Sequence, residues 1–218
     1  MAEALLTTIS MTHPDNDSEL ILVMQQSACL SYHLTYYLLN QGGIKLNGYA
    51  GNGRTSHTRN RLTNDKKFRE AISTLESSCK QMKSKYQQEI EGLVKTLDIS
   101  DTQLYTNFQH AANSLMDGDI RWGRIAVLFF FTSVLAKRLH KDGHSHQISS
   151  LIGWLTTFLN DNATSWILEN GGWAAIKDSV NVEEKQQPPT VEKAQKSSWL
   201  TIAAVGVGAV VVGALAIR

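Results

Sequence analysis

The sequence predicts an all-helical bundle packed around one central apolar helix, followed by a helix that enters a membrane. Apolar residues recur at helical spacing through most of the chain, and no strand-like alternation runs for long. Ile125 to Phe131 is seven apolar residues in a row, extended by Val134, Leu135 and Leu139. A helix that is apolar all round must be buried all round. From Trp199 to Ile217, about 19 residues carry no charge and a single hydroxyl, Thr201.

Taken in order, residues 1–16 read as a polar, flexible arm. Pro14-Asp15-Asn16-Asp17-Ser18 then caps a helix running from Leu20 to Leu39 and stopped by Gly42-Gly43. Residues 47–64 hold Gly48, Gly51 and Gly53 among Asn, Ser, Thr and Arg, the composition of a flexible loop. Asn64 is placed to cap the next helix, where Phe68, Ala71, Ile72, Leu75 and Met82 share a face. Tyr86, Ile90, Leu93, Val94 and Leu97 carry that face on to Asp98.

Ser100-Asp101-Thr102-Gln103 has the form of a capping box and opens a helix with Leu104, Tyr105, Phe108, Ala111, Ala112 and Leu115 on its apolar side. Asp117-Gly118 closes that helix, and Asp119 is expected to cap the central one. Leu151 to Leu159 makes another helix, then Trp166-Ile167-Leu168, then a last turn from Trp173 to Val180. The bundle therefore spans 17–180.

Residues 181–198, with Pro188-Pro189, glutamines and mixed charges, form a linker of roughly 20–25 Å root-mean-square reach. Residues 199–217 would make a helix of ~28 Å, matching the ~30 Å hydrocarbon core. Trp199 stands at one interface, and Lys193, Lys196 and Arg218 flank the span. The expectation is a transmembrane tail anchor with the bundle facing the cytosol. Ala204/Gly208 and Ala209/Gly213 have the spacing of close helix approach, which composition alone also produces.

Composition excludes several functions. With 42% hydrophobic residues, 19% charged and a net charge of +1, there is no basic footprint for nucleic acid. Cys29 and Cys79 have neither metal-site nor redox spacing and read as reduced thiols. The first eleven residues lack the basic start of a signal peptide. His140, His144 and His146 cluster at a helix end and loop and could bind a metal, but no carboxylate or cysteine completes a convincing set, so neither metal nor cofactor is expected. No Ser/His/Asp set or phosphate-cradling glycines appear, and the chain is not expected to be an enzyme.

Two short signatures carry the function. Arg121-Trp122-Gly123-Arg124 is followed, about 40 residues on, by Trp166-Ile167-Leu168-Glu169-Asn170-Gly171-Gly172-Trp173. The first is similar to the Asn-Trp-Gly-Arg motif of the B-cell lymphoma 2 (Bcl-2) family of apoptosis regulators, and the second resembles its Trp-Ile-x-x-Asn-Gly-Gly-Trp motif. Tyr105-x-x-Phe108, Leu115, Asp117-Gly118 and Phe158-Leu159-Asn160-Asp161 resemble survival-type members. Tyr37-x-Leu39-Asn40-Gln41-Gly42 matches more loosely. One departure is Arg121, where the family has Asn.

The resemblance implies an eight-helix bundle with a hydrophobic groove that receives the third-homology-motif helix (the death helix) of pro-apoptotic relatives, Bak/Bax-like or motif-only. By position, Met82, Tyr86, Ile90, Leu93, Ala111, Leu115, Val127 and Phe131 would line it, although core packing shares their periodicity. Arg124 would pair with the ligand's Asp, Gly123 would admit its backbone, and Arg121 would either add a second charge or face solvent. Trp122, Trp166 and Trp173, with Gly171 and Gly172, are expected to be structural.

The family holds both survival proteins and membrane-perforating effectors. An effector must offer its own third motif, Leu, three residues, a small residue, then Asp. Here that stretch is Leu75-Glu76-Ser77-Ser78-Cys79-Lys80, with Lys80 where Asp belongs. Against a sister molecule's Arg124 that lysine is repulsive. The expectation is a survival protein at the outer mitochondrial membrane, with the endoplasmic reticulum as the other candidate. The alternatives are an effector, or a membrane adaptor with a degenerate groove.

Overall fold

A computed structural model describes residues 14–46 and 53–178. Among them are seven α-helices and two 3-10 turns, and no strand. The α-helices are α1 (Pro14–Gln41), α2 (Gly53–Asn64), α3 (Lys66–Thr96), α4 (Leu104–Met116), α5 (Trp122–Lys141), α6 (Ile148–Asn162) and α7 (Thr164–Glu169). Short 3-10 turns lie at Ser145–Gln147 and Trp173–Ala175, and the latter runs on as helix through residue 178. The all-helical expectation holds, and the eighth helical segment is little more than this final turn. The arm before residue 14, residues 47–52, the linker and the tail at 199–217 lie outside the described residues. No helix among the described residues is long and apolar enough to cross a membrane.

α5 is the axis. All seven residues from Ile125 to Phe131 are buried, as are Leu135 and Leu139. α1, α3, α4 and α6 pack against it, and α6 and α7 also pack on α1. α1 achieves its close fit with small residues: Ser27, Ser31 and Thr35 share one stripe and are all buried. The Ser27 and Ser31 hydroxyls return hydrogen bonds of 2.9 Å to the carbonyls of Val23 and Ser27, so neither is buried unsatisfied.

Several sequence expectations need correction. α1 is already helical at Pro14, where a fixed φ suits a first turn, so the cap is not at 14–18. The expected loop at 47–64 contains α2 from Gly53 onward. Leu62 is its buried anchor, a single apolar contact too sparse to register as periodicity. Because α2 runs through Asn64, the cap of α3 falls to Asp65, whose carboxylate accepts from Lys67 N–H at 2.7 Å and Phe68 N–H at 3.2 Å.

The capping box does not form. Ser100 N–H is taken by Asp98 Oδ1 at 2.9 Å, which leaves the Gln103 side chain no donor there. The Ser100 carbonyl accepts from Gln103 and Leu104 N–H, so the turn winds up on backbone bonds alone. The same Ser100 backbone N–H, with its hydroxyl, holds the Asp98 carboxyl below its ordinary pKa. Asp119 does not cap α5 either. Arg121 is the N-cap, and Asp119 instead receives its guanidinium at 3.4 Å.

Trp122, Trp166 and Trp173 pack against one another. α7 ends in a Schellman turn: Gly172 N–H bonds Ile167 O at 2.8 Å and Gly171 N–H bonds Leu168 O at 3.1 Å. Gly171 and Gly172 adopt φ of 89° and 70°, a left-handed path that other residues follow only under strain. That reversal swings Trp173 into the core, where it is fully buried. Its ring lies 5.7 Å from Trp122 and 6.2 Å from Phe129, while Trp122 meets Trp166 edge-on at 5.1 Å. The Trp173 indole donates to Ser27 Oγ at 3.1 Å, joining the last described turn to the first helix.

Trp173→Ala is expected to destabilise the bundle by about 3–5 kcal/mol, and Ser27→Ala, which strands the indole N–H, by about 1–3 kcal/mol. Urea unfolding followed by circular dichroism measures both.

Candidate functional site

The first turn of α5 carries the site. Arg121, with extended backbone, ends the preceding loop, and Trp122 turns inward to lock the helix start against Trp166 and Trp173. With that ring fixed, Gly123 is half-buried one residue on, and Arg124 extends its guanidinium back over Gly118. A Cβ on Gly118 would lie 3.3 Å from Arg124 Nη2, so glycine there admits the guanidinium.

Arg124 Nη1 is buried and has no hydrogen-bond partner. No carboxylate among the described residues lies within ion-pair distance of the guanidinium. A buried donor left unmade costs about 1–3 kcal/mol, and more when charged. Placement adds to the cost: Arg124 sits at the positive end of a helix with no acidic residue in its first turn. A carboxylate arriving here would satisfy the donor and the helix end together. Arg121 is exposed and engaged with Asp119, so it faces solvent.

The eight residues expected to line a groove come together where α3 and α4 pack on α5. Ile90, Leu93, Ala111, Leu115, Val127 and Phe131 are all buried in the common core, whereas Met82 and Tyr86 are half-buried at its edge.

The chain's own third motif faces inward. Leu75 and Cys79 are fully buried, and Cys79 Sγ donates to Ala126 O of α5 at 3.7 Å. Burial pushes the Cys79 thiol up to about 12. Lys80 lies 5.5 Å from the centre of the Tyr37 ring on α1, and the Tyr37 hydroxyl raises its pKa through a hydrogen bond. The residue that replaces the motif's Asp thus fastens α3 to α1, a contact the sequence offered no periodic signal to find. Nearby, a cavity of about 210 Å³ is lined by Leu38, Lys80, Lys83, Phe130, Val134 and Lys137, among others.

With this geometry in view, the likenesses to known proteins are consistent. The family described as "Apoptosis regulator proteins, Bcl-2 family" matches residues 75–173. These matches support a Bcl-2 family member. It is 27% identical over 136 residues to Bcl-2-like protein 1 of Gallus gallus, covering 62% of this chain and 58% of that protein. It is 30% identical over 88 residues to apoptosis regulator BAX of Homo sapiens, covering 40% and 45%. The chain thus spans about three fifths, or less, of the curated relatives it matches. Among solved structures, that of Trichoplax adhaerens trBcl-2L2 bound to trBak BH3 shares the fold, with a TM-score of 0.59 and 21% identity over 72% of this chain and 97% of that one.

Both thiols of this Bcl-2-like chain are buried, and at pH 8 a thiol with a pKa near 12 is ionised to roughly one part in ten thousand. Ellman's reagent is therefore expected to detect almost none of the two cysteines in the native protein and both after denaturation. Rapid labelling of Cys79 in the native state would mean that the α3 face opens.

Proposed function

We propose that this chain is a survival-type apoptosis regulator that sequesters the third-motif helices of pro-apoptotic relatives and so keeps the outer mitochondrial membrane closed. The observation that carries this reading is the buried, unpartnered Nη1 of Arg124 at the start of α5. An aspartate on an incoming amphipathic helix supplies the missing acceptor, while that helix's apolar residues pack against Ile90 of α3, Leu115 of α4 and Phe131 of α5. The solved relative bound to trBak BH3 makes the same kind of ligand reasonable here.

Lys80 supports the survival role over the effector role. It occupies the position where an effector's own motif needs an acid, and it is engaged with Tyr37 instead. The similarity to BAX keeps an effector as the second reading. The two separate in a liposome assay, where an effector releases trapped dye and a survival protein blocks release driven by another effector. The apolar run at 199–217 would anchor the chain by its tail in the outer mitochondrial or endoplasmic-reticulum membrane.

The test is titration of the full chain in mild detergent with a labelled third-motif peptide, beside the same peptide with its Asp changed to Ala. Arg124→Met is expected to weaken binding by about 30-fold or more, equivalent to losing ~2–5 kcal/mol. The empty protein should meanwhile keep or raise its Tm, because an unpaired buried charge has been removed. Equal affinity for both peptides would remove the proposed role of Arg124, and failure of a broad peptide panel to bind would remove the function.

A further inference from the structure

His144 and His146 follow α5 in the connection to α6, and the fold brings a carboxylate from a distant connection beside them. Asp101, in the connection between α3 and α4, lies beside the connection between α5 and α6. One ligand atom from each of Asp101, His144 and His146 falls within 4.8 Å of the other two. His144 Nδ1 is 3.9 Å from Asp101 Oδ1, and the two imidazole rings are 6.1 Å apart.

We propose that Asp101, His144 and His146 form a binding site for a divalent metal of the zinc class. Two imidazoles and one carboxylate are the donors of an open zinc site, with water in the fourth position. An all-oxygen set would have indicated magnesium or calcium instead. Ligand atoms around a tetrahedral zinc stand about 3.3 Å apart, as bond lengths near 2.0–2.1 Å require. The present spacing therefore needs a contraction of about an ångström, within reach of side chains that are exposed or half-exposed.

The backbone beneath these groups is already held. Gly143, at φ 88°, closes α5 so that His144 N–H bonds Leu139 O at 2.7 Å, and Ser145–Gln147 follows as a 3-10 turn. Gln147, itself only 9% exposed, donates its side-chain amide to Asp101 Oδ1. Such an outer hydrogen bond orients a ligating carboxylate. His140 Nδ1 is occupied by Ser145 Oγ at 2.9 Å. Bound metal would clamp the 97–103 connection to residues 142–147, beside the contacts by which Arg138 already holds the Val94 and Leu97 carbonyls.

The test uses the untagged full chain in detergent, stripped with chelator and titrated calorimetrically with zinc chloride. One equivalent is expected to bind with micromolar or tighter affinity and to raise Tm by a few degrees, as a ligand of the folded state must. H144A, H146A and D101N should each weaken zinc binding at least tenfold while keeping the metal-free helical spectrum. H110A, on the exposed side of α4, should not change it. The proposal is overturned if zinc does not bind by 100 μM or so, or if H144A or H146A binds it unchanged. Full binding by D101N would equally remove the three-ligand site.

Discussion

A helix that is apolar on every side can persist in water only when other helices enclose it, and α5 imposes that requirement on the whole molecule. α1, α3, α4 and α6 are amphipathic or striped because each must turn one face to α5 and another to solvent. The tryptophan cluster solves a local part of the same problem. The end of α5 nearest the loop would fray if Trp122 were not wedged against Trp166 and Trp173. The two glycines after α7 exist to bring Trp173 back to that wedge.

Enclosing α5 also creates the site. Arg124 must lie within the first turn because Trp122 sets the phase of the helix, and that phase leaves the guanidinium part-covered and its Nη1 without an acceptor. The positive helix end deepens the deficit. A stable protein tolerates few such groups, since each is a large share of a net stability of about 5–15 kcal/mol. Under the proposed function, a ligand carboxylate would recover that stability.

Burial of the residues expected to line a groove sets a threshold. Ile90, Leu93, Leu115 and Phe131 are buried in the core, so a helix seated against them would have to replace whatever contacts it uncovers. Cys79 and Lys80 act in the opposite direction. One packs its sulfur on the α5 backbone and the other fastens to Tyr37, so the chain's own third motif is tied inward on both sides.

The helices that enclose α5 were legible in the sequence because their burial is written as periodicity, a local property. The apolar run of α5, the faces of α3 and α4, and the two tryptophan signatures needed no tertiary knowledge. α2 escaped notice because Leu62 is the one apolar residue in its sequence, and the caps shifted because Asp98 and Asp65 competed successfully with the residues expected to serve. Whether Ile90 or Phe131 lies in an open groove or a closed core could not be read, since both uses demand the same spacing. The meeting of Asp101 with His144 and His146 was likewise invisible, because it joins residues more than 40 positions apart. By itself the sequence determined which surfaces had to be buried. Only the tertiary structure decided which polar groups burial would leave paired, unpaired or brought together, because that depends on how distant helices meet.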